Sequence, residues 1–144
     1  MATPTASLTA PPSAERRSIG PDRLEALLVA LVAGLDPGPA IPGHGRRYQR
    51  LDVGSELDGA VDAWLIAWPG GTGLGMHDHQ GSDAVLAVLE GSLRERYLGP
   101  GGVHQRTLRP GPPLRLAADH VHEVVNAGRA ESLSIHLYSP PLRS

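Results

Sequence analysis

The sequence predicts an all-β fold, a jelly-roll barrel of antiparallel strands preceded by a short helical segment. Two observations carry this prediction. From residue 48 onward, short apolar runs alternate with turns rich in Gly, Pro and Asp, a spacing typical of antiparallel sandwiches and barrels. No helical periods separate these runs, which argues against an α/β fold. The 144 residues fit one domain that is long enough to bury a core.

The predicted elements begin with a leader and a helix. Residues 1–18 are rich in Ala, Thr, Ser and Pro and lack the pattern of a secretory signal, which predicts a disordered leader before a single domain over residues 19–144. A helix is predicted at about residues 21–35, because Pro21 suits a first turn and Gly34 a last one. Its apolar face is formed by Leu24, Leu27, Leu28, Leu31, Val32 and Leu35. This stretch is too short to cross a bilayer, so we expect a cytoplasmic protein with no membrane partner.

Eight strands are predicted after the helix, each a short apolar run bounded by turn residues. They are residues 50–53, 61–68, 84–89, 92–98, 104–108, 114–117, 122–126 and 132–137. Residues 69–75 predict a glycine-rich turn, and residues 90–91 and 99–102 predict hairpin turns.

Composition limits the kinds of partner and of site. A formal net charge of -2 provides no basic surface for nucleic acid, so a small molecule or a protein is the expected partner. The chain contains no cysteine, which excludes a disulfide, a thiolate metal site and a cysteine nucleophile. Any metal ion must therefore be held by histidine, carboxylate or water.

Histidines occur at the spacing of metal ligands. His77 and His79 are two residues apart, and because side chains alternate along a strand, both imidazoles are expected on one face. His120 and His122 repeat this spacing, and Asp83 offers a carboxylate nearby in the chain. Neutral imidazole binds Zn, Fe, Ni, Cu and Mn. The residues alone therefore predict His77 and His79 as ligands and leave the third ligand open.

Three segments together resemble a known family. Residues 68–79 read Trp-Pro-Gly-Gly-Thr-Gly-Leu-Gly-Met-His-Asp-His and lead into an apolar strand that ends at residue 91. Residues 122–126 read His-Glu-Val-Val-Asn, and residues 134–141 read Ser-Ile-His-Leu-Tyr-Ser-Pro-Pro. These segments resemble the motifs of the cupin superfamily and, within it, of the cysteine dioxygenase (thiol dioxygenase) family in its bacterial form. The resemblance covers about the C-terminal two-thirds of the chain.

The resemblance implies an Fe(II) ion held by His77, His79 and His122, which favours His122 over His120 as the third ligand. Many other cupins use a glutamate shortly after the first histidine pair. Asp83 lies near that position, so a site of three histidines and one carboxylate is the alternative. Thiol dioxygenases lack this carboxylate, and their neutral ligand set leaves the metal freer to take a substrate thiolate.

The resemblance also assigns roles to residues around the metal. Ser134, His136 and Tyr138 alternate along one predicted strand, and in the family this relay holds the tyrosine hydroxyl beside the metal. Arg50 matches the arginine that binds the substrate carboxylate, an interaction that suits a planar guanidinium. A shift of one residue would place Gln49 there instead, and related enzymes for 3-mercaptopropionate carry glutamine at this position.

The implied activity is that of a non-haem iron(II) thiol dioxygenase, an enzyme that uses O2 to oxidise the thiol of a small carboxylate-bearing substrate to a sulfinate. L-cysteine is the leading substrate. The alternatives are a dioxygenase for 3-mercaptopropionate or another thiol, a metal-dependent cupin enzyme for a different substrate, and a cupin that binds metal and ligand without turnover. The expected partners are the thiol and O2, and the expected state is a monomer or a homodimer. Mammalian-type members crosslink the tyrosine to a cysteine, but the matching position here is Ala84, so Tyr138 is expected to be a free phenol.

Overall fold

The computed structural model describes residues 17–35 and 41–142. Within them lie one helix, α1 (Pro21–Gly34), and nine strands. The strands are β1 (Arg47–Arg50), β2 (Asp62–Trp68), β3 (Gly73–His77), β4 (Asp83–Glu90), β5 (Leu93–Gly99), β6 (Gly102–Leu108), β7 (Leu114–Leu116), β8 (His122–Val125) and β9 (Ser132–Ser139). The predicted leader falls almost entirely outside the described residues.

The described strands form two antiparallel sheets, which confirms the all-β fold. One sheet has five strands in the order β1-β2-β9-β4-β7, and the other has four in the order β3-β8-β5-β6. In the same part of the chain, no helix has both the length and the apolar character needed to cross a membrane.

The central strand β9 is buried along its whole length because both of its faces are covered. Leu133, Ile135 and Leu137 belong to a core that also contains residues of the helix. Ser134, His136 and Tyr138, at alternate positions, point the other way into the space between the two sheets. One face of β9 therefore builds the core under the helix, and the other supplies polar side chains to the interior.

The helix is confirmed to within one residue of its predicted end. It begins with Pro21, whose missing N–H costs nothing in the first turn, and Asp22 lies beside the positive end of the helix dipole. Leu24 and Leu28 are one turn apart and fully buried against the five-stranded sheet. Burying each of these leucines stabilises the fold by roughly 1.5–3 kcal/mol.

Strand β3 lies where the sequence predicts only a glycine-rich turn, so that prediction is wrong from Gly73 onward. A Cβ on Gly73 would lie 2.6 Å from the carbonyl oxygen of Val124 on β8. Glycine is required there because the two strands approach so closely. The glycine at this position therefore allows close packing of two strands and does not mark a turn.

Two further predictions differ from the structure. The strand expected at residues 50–53 lies earlier, at Arg47–Arg50, because Asp52 accepts a hydrogen bond from the amide of Gly54 (2.8 Å) and turns the chain. The hairpin predicted at residues 99–102 is confirmed, since Gly99 pairs with Gly102. The hairpin predicted at residues 90–91 is wrong, because β4 and β5 belong to different sheets and Gly91, with φ 73°, joins them.

Candidate metal centre and adjoining cavity

Three histidine side chains converge at one end of the space between the sheets. His77 is the last residue of β3, His122 is the first of β8, and the two are paired across the sheet. The candidate ligand atoms of His77, His79 and His122 all lie within 4.8 Å of one another. The Nε2 atoms of His79 and His122 are 3.1 Å apart.

His79 reaches this cluster by a different route from the one predicted. The strand ends at His77, so His79 lies in the loop after it and not on the same strand. In that loop the amide of Ser82 donates to the carbonyl of His79 (3.0 Å), and Gln80 has a positive φ of 58°. The turn, and not strand alternation, directs the His79 ring towards the other two.

Hydrogen bonds orient two of the three rings. His77 Nδ1 lies 2.7 Å from the carbonyl oxygen of Gly75, which can only accept, so this nitrogen carries the proton. His122 Nδ1 lies 2.7 Å from a carboxylate oxygen of Glu95 and donates in the same way. In a neutral imidazole the other nitrogen then carries the lone pair, which leaves Nε2 of both rings available to a metal ion.

Burial favours the neutral form of two of these imidazoles, those of His79 and His122. Together with the nearby rings of His122 and His77, burial lowers the pKa of His79 to about 4. Burial also lowers the pKa of His122, although the bond to Glu95 opposes the shift. Neutral imidazole is the form that binds a metal.

The cluster fits a first-row divalent metal ion. Imidazole nitrogens bind such an ion at about 2.0–2.1 Å, a length that places two ligating nitrogens roughly 3 Å apart. The 3.1 Å between the Nε2 atoms of His79 and His122 agrees with this spacing. Asp83 is not part of this cluster among the described residues, so the geometry offers three nitrogens without a carboxylate.

Glu95 is a fully buried carboxylate beside the cluster, and sequence reasoning missed it. One of its oxygens accepts from His122 Nδ1 (2.7 Å) and from His120 Nε2 (2.8 Å), and the other accepts from Arg106. Burial alone would raise the pKa of Glu95, but the bonds from His122, Arg106 and His120 outweigh it and lower the pKa to about 2. His120 therefore contacts Glu95, the hydrogen-bond partner of His122, while the His120 ring lies outside the group formed by His77, His79 and His122.

The polar residues of β9 form a row that ends near the histidines. Ser134 Oγ lies 2.7 Å from His136 Nε2, and the Tyr138 hydroxyl lies 3.5 Å from His136 Nδ1. Burial lowers the pKa of His136 to about 3 and raises the pKa of Tyr138 above its usual value. The ring of Tyr138 is 5.2 Å from that of His79, measured between centroids. Ala84 is the cross-strand partner of Tyr138.

A cavity of about 740 Å³ opens onto the histidines, and its wall carries Arg50, Trp64 and Tyr138. The Arg50 guanidinium lies 5.1 Å above the Trp64 ring, and one of its nitrogens donates to Asp62 (2.5 Å). Gln49 is absent from the cavity wall among the described residues, as expected for the residue between two inward-facing neighbours on β1. Asp62, also on this wall, is a second residue that the sequence did not single out.

Solved structures identify the fold. A structure of oxalate oxidase in complex with the substrate analogue glycolate superposes with a TM-score of 0.57 at 20% identity. The match covers 75% of this chain and 58% of the oxalate oxidase chain. The structure of KdgF from Halomonas sp. superposes with a TM-score of 0.56 at 22% identity, and the match covers 67% of this chain and 80% of the KdgF chain. The fold and the histidine cluster together define a cupin with the side chains needed to bind a metal ion.

A family model narrows this class. The model described as cysteine dioxygenase type I matches residues 40–144, and the chain belongs to this family. Cysteine dioxygenase type 1 of Danio rerio is 31% identical over 109 residues, which cover 68% of this chain and 54% of the relative. The chain spans about half the length of the curated relatives it matches. The family predicted from the three sequence motifs is thereby confirmed.

Proposed function

We propose that this protein is an iron(II) thiol dioxygenase that oxidises a small carboxylate-bearing thiol, with L-cysteine as the leading substrate, to a sulfinate. The observation that carries the proposal is that one cavity is lined by His77, His79, Tyr138 and Arg50. Membership of the cysteine dioxygenase type I family supports it.

His77, His79 and His122 would hold the iron. When bound, Fe(II) supplies a coordination site for the thiolate and the electrons that activate O2 for its addition to sulfur. The three imidazoles bring no negative charge to that site, so the substrate thiolate is attracted more strongly than it would be beside a ligating carboxylate.

Arg50 would bind the substrate carboxylate at the mouth of the cavity. The side chain is half-exposed; Asp62 holds one nitrogen of the guanidinium, and the Trp64 ring lies under the guanidinium. The remaining N–H groups of the guanidinium stay available for a carboxylate, which can accept two parallel hydrogen bonds.

Tyr138 would donate a hydrogen bond to a substrate atom in the cavity. Its raised pKa keeps the phenol protonated at neutral pH. The contact with His136, and through it with Ser134, holds the hydroxyl at the side of the cavity nearest His79.

Oxygen uptake tests the proposed reaction. Metal-free protein is loaded with Fe(II) under anaerobic conditions and then exposed to O2 with cysteine, 3-mercaptopropionate, cysteamine or mercaptosuccinate. O2 consumption is followed, and the products are identified by mass spectrometry. We expect one thiol to gain two oxygen atoms. Absence of thiol-dependent uptake in protein with confirmed bound iron would refute the reaction.

A variant of Arg50 tests substrate recognition. Because a hydrogen bond to a charged group contributes about 1.5–3 kcal/mol, Arg50→Ala is expected to raise the KM for cysteine roughly 10- to 100-fold. Turnover of cysteamine, which has no carboxylate, should not change by this factor. Gln49→Ala, on the other face of β1, is the matched control, and an unchanged KM for cysteine in Arg50→Ala would contradict the assigned role.

A further inference from the structure

Asp62 is a buried carboxylate on the wall of the cavity. It is the first residue of β2 and only 6% exposed, although aspartate is mostly found in contact with water. One of its carboxylate oxygens accepts from the Arg50 guanidinium, and the other accepts from the backbone amide of Leu142 (3.1 Å). Both partners are donors, so these contacts favour the charged form. A carboxylate offers about four acceptor positions, which leaves about two for a donor inside the cavity.

The register of the sheet places Asp62 between the two ends of the cavity. On one side, Asp62 is the cross-strand partner of Tyr138 on β9. On the other side, Arg50 on β1 pairs with Trp64, two residues further along β2. Burial raises the pKa of the Tyr138 phenol, and the charges of Tyr48 and Asp62 add to this shift, so the Asp62 carboxylate acts on the Tyr138 hydroxyl. Asp62 therefore lies between the side chain nearest the histidines and the side chain at the mouth.

Burial distinguishes Asp62 from the other carboxylate on the described wall. Apart from the histidines, the charged residues of this wall are Arg50, Asp62 and Asp78. Asp78 is exposed, so water and salt screen its charge. Asp62 is buried, so its charge acts on a molecule in the cavity with less screening. The cavity is thus positive at its mouth and negative beside it, on the way to the histidines.

This order of charges matches the order of groups in an amino-acid thiol. A ligand with its thiolate at the histidines and its carboxylate at Arg50 places the carbon between these groups beside Asp62. In L-cysteine that carbon carries the amino group, whereas in 3-mercaptopropionate it carries only hydrogen. The Asp62 charge attracts an amino group and repels a carboxylate. Arg50 cannot make this distinction, because it binds the carboxylate of either thiol.

We propose that Asp62 is a specificity-determining residue that selects thiols with an amino group over thiols with only a carboxylate. The inference rests on the proposed function for the positions of the thiolate and the carboxylate, and it deepens that function by naming amino thiols as the substrate class. The amino group donates to a carboxylate oxygen of Asp62, which keeps its contacts with Arg50 and Leu142.

Thiol binding to Co(II)-loaded protein tests the inference without turnover. A thiolate bound to Co(II) absorbs in the near ultraviolet, so anaerobic titration gives a Kd for L-cysteine, for cysteamine and for 3-mercaptopropionate. Asp62→Asn keeps the shape of the side chain but removes its charge. We expect cysteamine to bind the variant roughly tenfold more weakly than the wild type, because a hydrogen bond to a charged group is lost. Binding of 3-mercaptopropionate should not weaken, because a repulsion is removed.

A purely structural role for Asp62 would give the opposite pattern. If Asp62 only held Arg50 in place, Asp62→Asn would weaken the binding of 3-mercaptopropionate and leave cysteamine, which has no carboxylate, unchanged. That result would overturn the inference. Asp58→Asn is the matched control, since Asp58 is exposed and absent from the cavity wall among the described residues, and all three Kd values should stay unchanged.

If Asp62→Asn does not fold, Asp62→Ser provides the second variant, because its hydroxyl can still accept a hydrogen bond. The same pattern is expected, and an unchanged Kd for cysteamine would contradict the inference. If the Kd values shift as expected but the Fe(II) protein does not oxidise thiols, the proposed reaction fails and the role of Asp62 stands. If thiols are oxidised but the Kd values do not shift, the reverse holds. Absence of any thiol binding to the Co(II) protein would overturn both.

Discussion

Glu95 has no contact with solvent and is nevertheless ionised, because three donors surround it. Removing one partner from such an arrangement leaves a buried charge or a buried proton without a partner. Its bond to His122 holds that ring in one tautomer and makes Nε2 a better electron donor. Glu95 is thus expected to contribute to metal affinity without touching the metal.

The substitution Glu95→Gln tests this contribution. It preserves shape but removes the charge, so we expect the affinity for Fe(II) or Zn(II) to fall by about 10- to 100-fold. Competition with a chelator of known affinity measures the change, and circular dichroism checks the fold. Glu90→Gln is the control, because it makes the same substitution at an exposed position at the end of β4. Equal metal affinity in folded Glu95→Gln and wild type would contradict the role.

The histidines could be located from the sequence, but Glu95 could not. His77 and His79 carry their own signal because they are two residues apart in a recognisable motif. Glu95 becomes significant only when β5 pairs with β8, which brings it beside His122. The local signal was weak: Glu95 shares a strand face with buried Leu93, an unusual position for a carboxylate.

Among the strands, β3 contributes directly to the geometry of the candidate metal centre, because it ends at His77. Its pairing with β8 sets the distance between His77 and His122. The close approach of the two strands depends on Gly73. This contact explains why a strand formed by Gly-Leu-Gly-Met-His could not be predicted from propensity, which favours a turn for such a segment.

A pair of glycine substitutions on β3 tests this dependence. In Gly73→Ala the new Cβ would lie 2.6 Å from a backbone oxygen of β8, so we expect a loss of about 1–3 kcal/mol in the free energy of unfolding and weaker metal binding. Gly75→Ala is the control, since a Cβ there would meet no atom within 4 Å. Urea unfolding measures both. Equal stability of the two variants would show that the strands can separate without cost.

In the whole molecule, one sheet is covered on both faces, by a helix and core on one side and by the second sheet on the other. This layering follows from the alternation within β2 and β9, and for that reason the fold class could be predicted from short apolar runs and turns. The sequence alone could not show which strands pair, because β2 lies beside β9, far away in the chain. Such long-range pairing also brings Trp68 to Ser134.

The buried histidines make the stability of the metal-free protein depend on pH. The pKa of His136 is about 3 in the folded state and about 6.5 when unfolded, so the unfolded state binds more protons below pH 6.5. Stability is therefore expected to fall as pH decreases from 7 to 5, by on the order of 2 kcal/mol from His136 alone. Glu95 acts in the same direction only below its unfolded pKa of about 4.5.

Urea unfolding at pH 7 and pH 5, with a chelator present, measures this dependence. His136→Gln should show a smaller loss between the two pH values than the wild type. His44→Gln, at an exposed position, should lose as much as the wild type. Identical losses in His136→Gln and wild type would mean that His136 is not the source.

The cavity wall takes side chains from a central strand and from an edge strand. Tyr138 belongs to β9, which has a hydrogen-bonded neighbour on each side, whereas His77 ends β3, which lies at the edge of its sheet among the described strands. Backbone amides of a central buried strand exchange with deuterium only when the whole molecule unfolds, while those of an edge strand exchange through local opening. We therefore expect β9 to hold Tyr138 in place for the lifetime of the folded state, and β3, which carries His77, to open and close locally. A metal ion could enter or leave through that wall without disturbing the rest of the site.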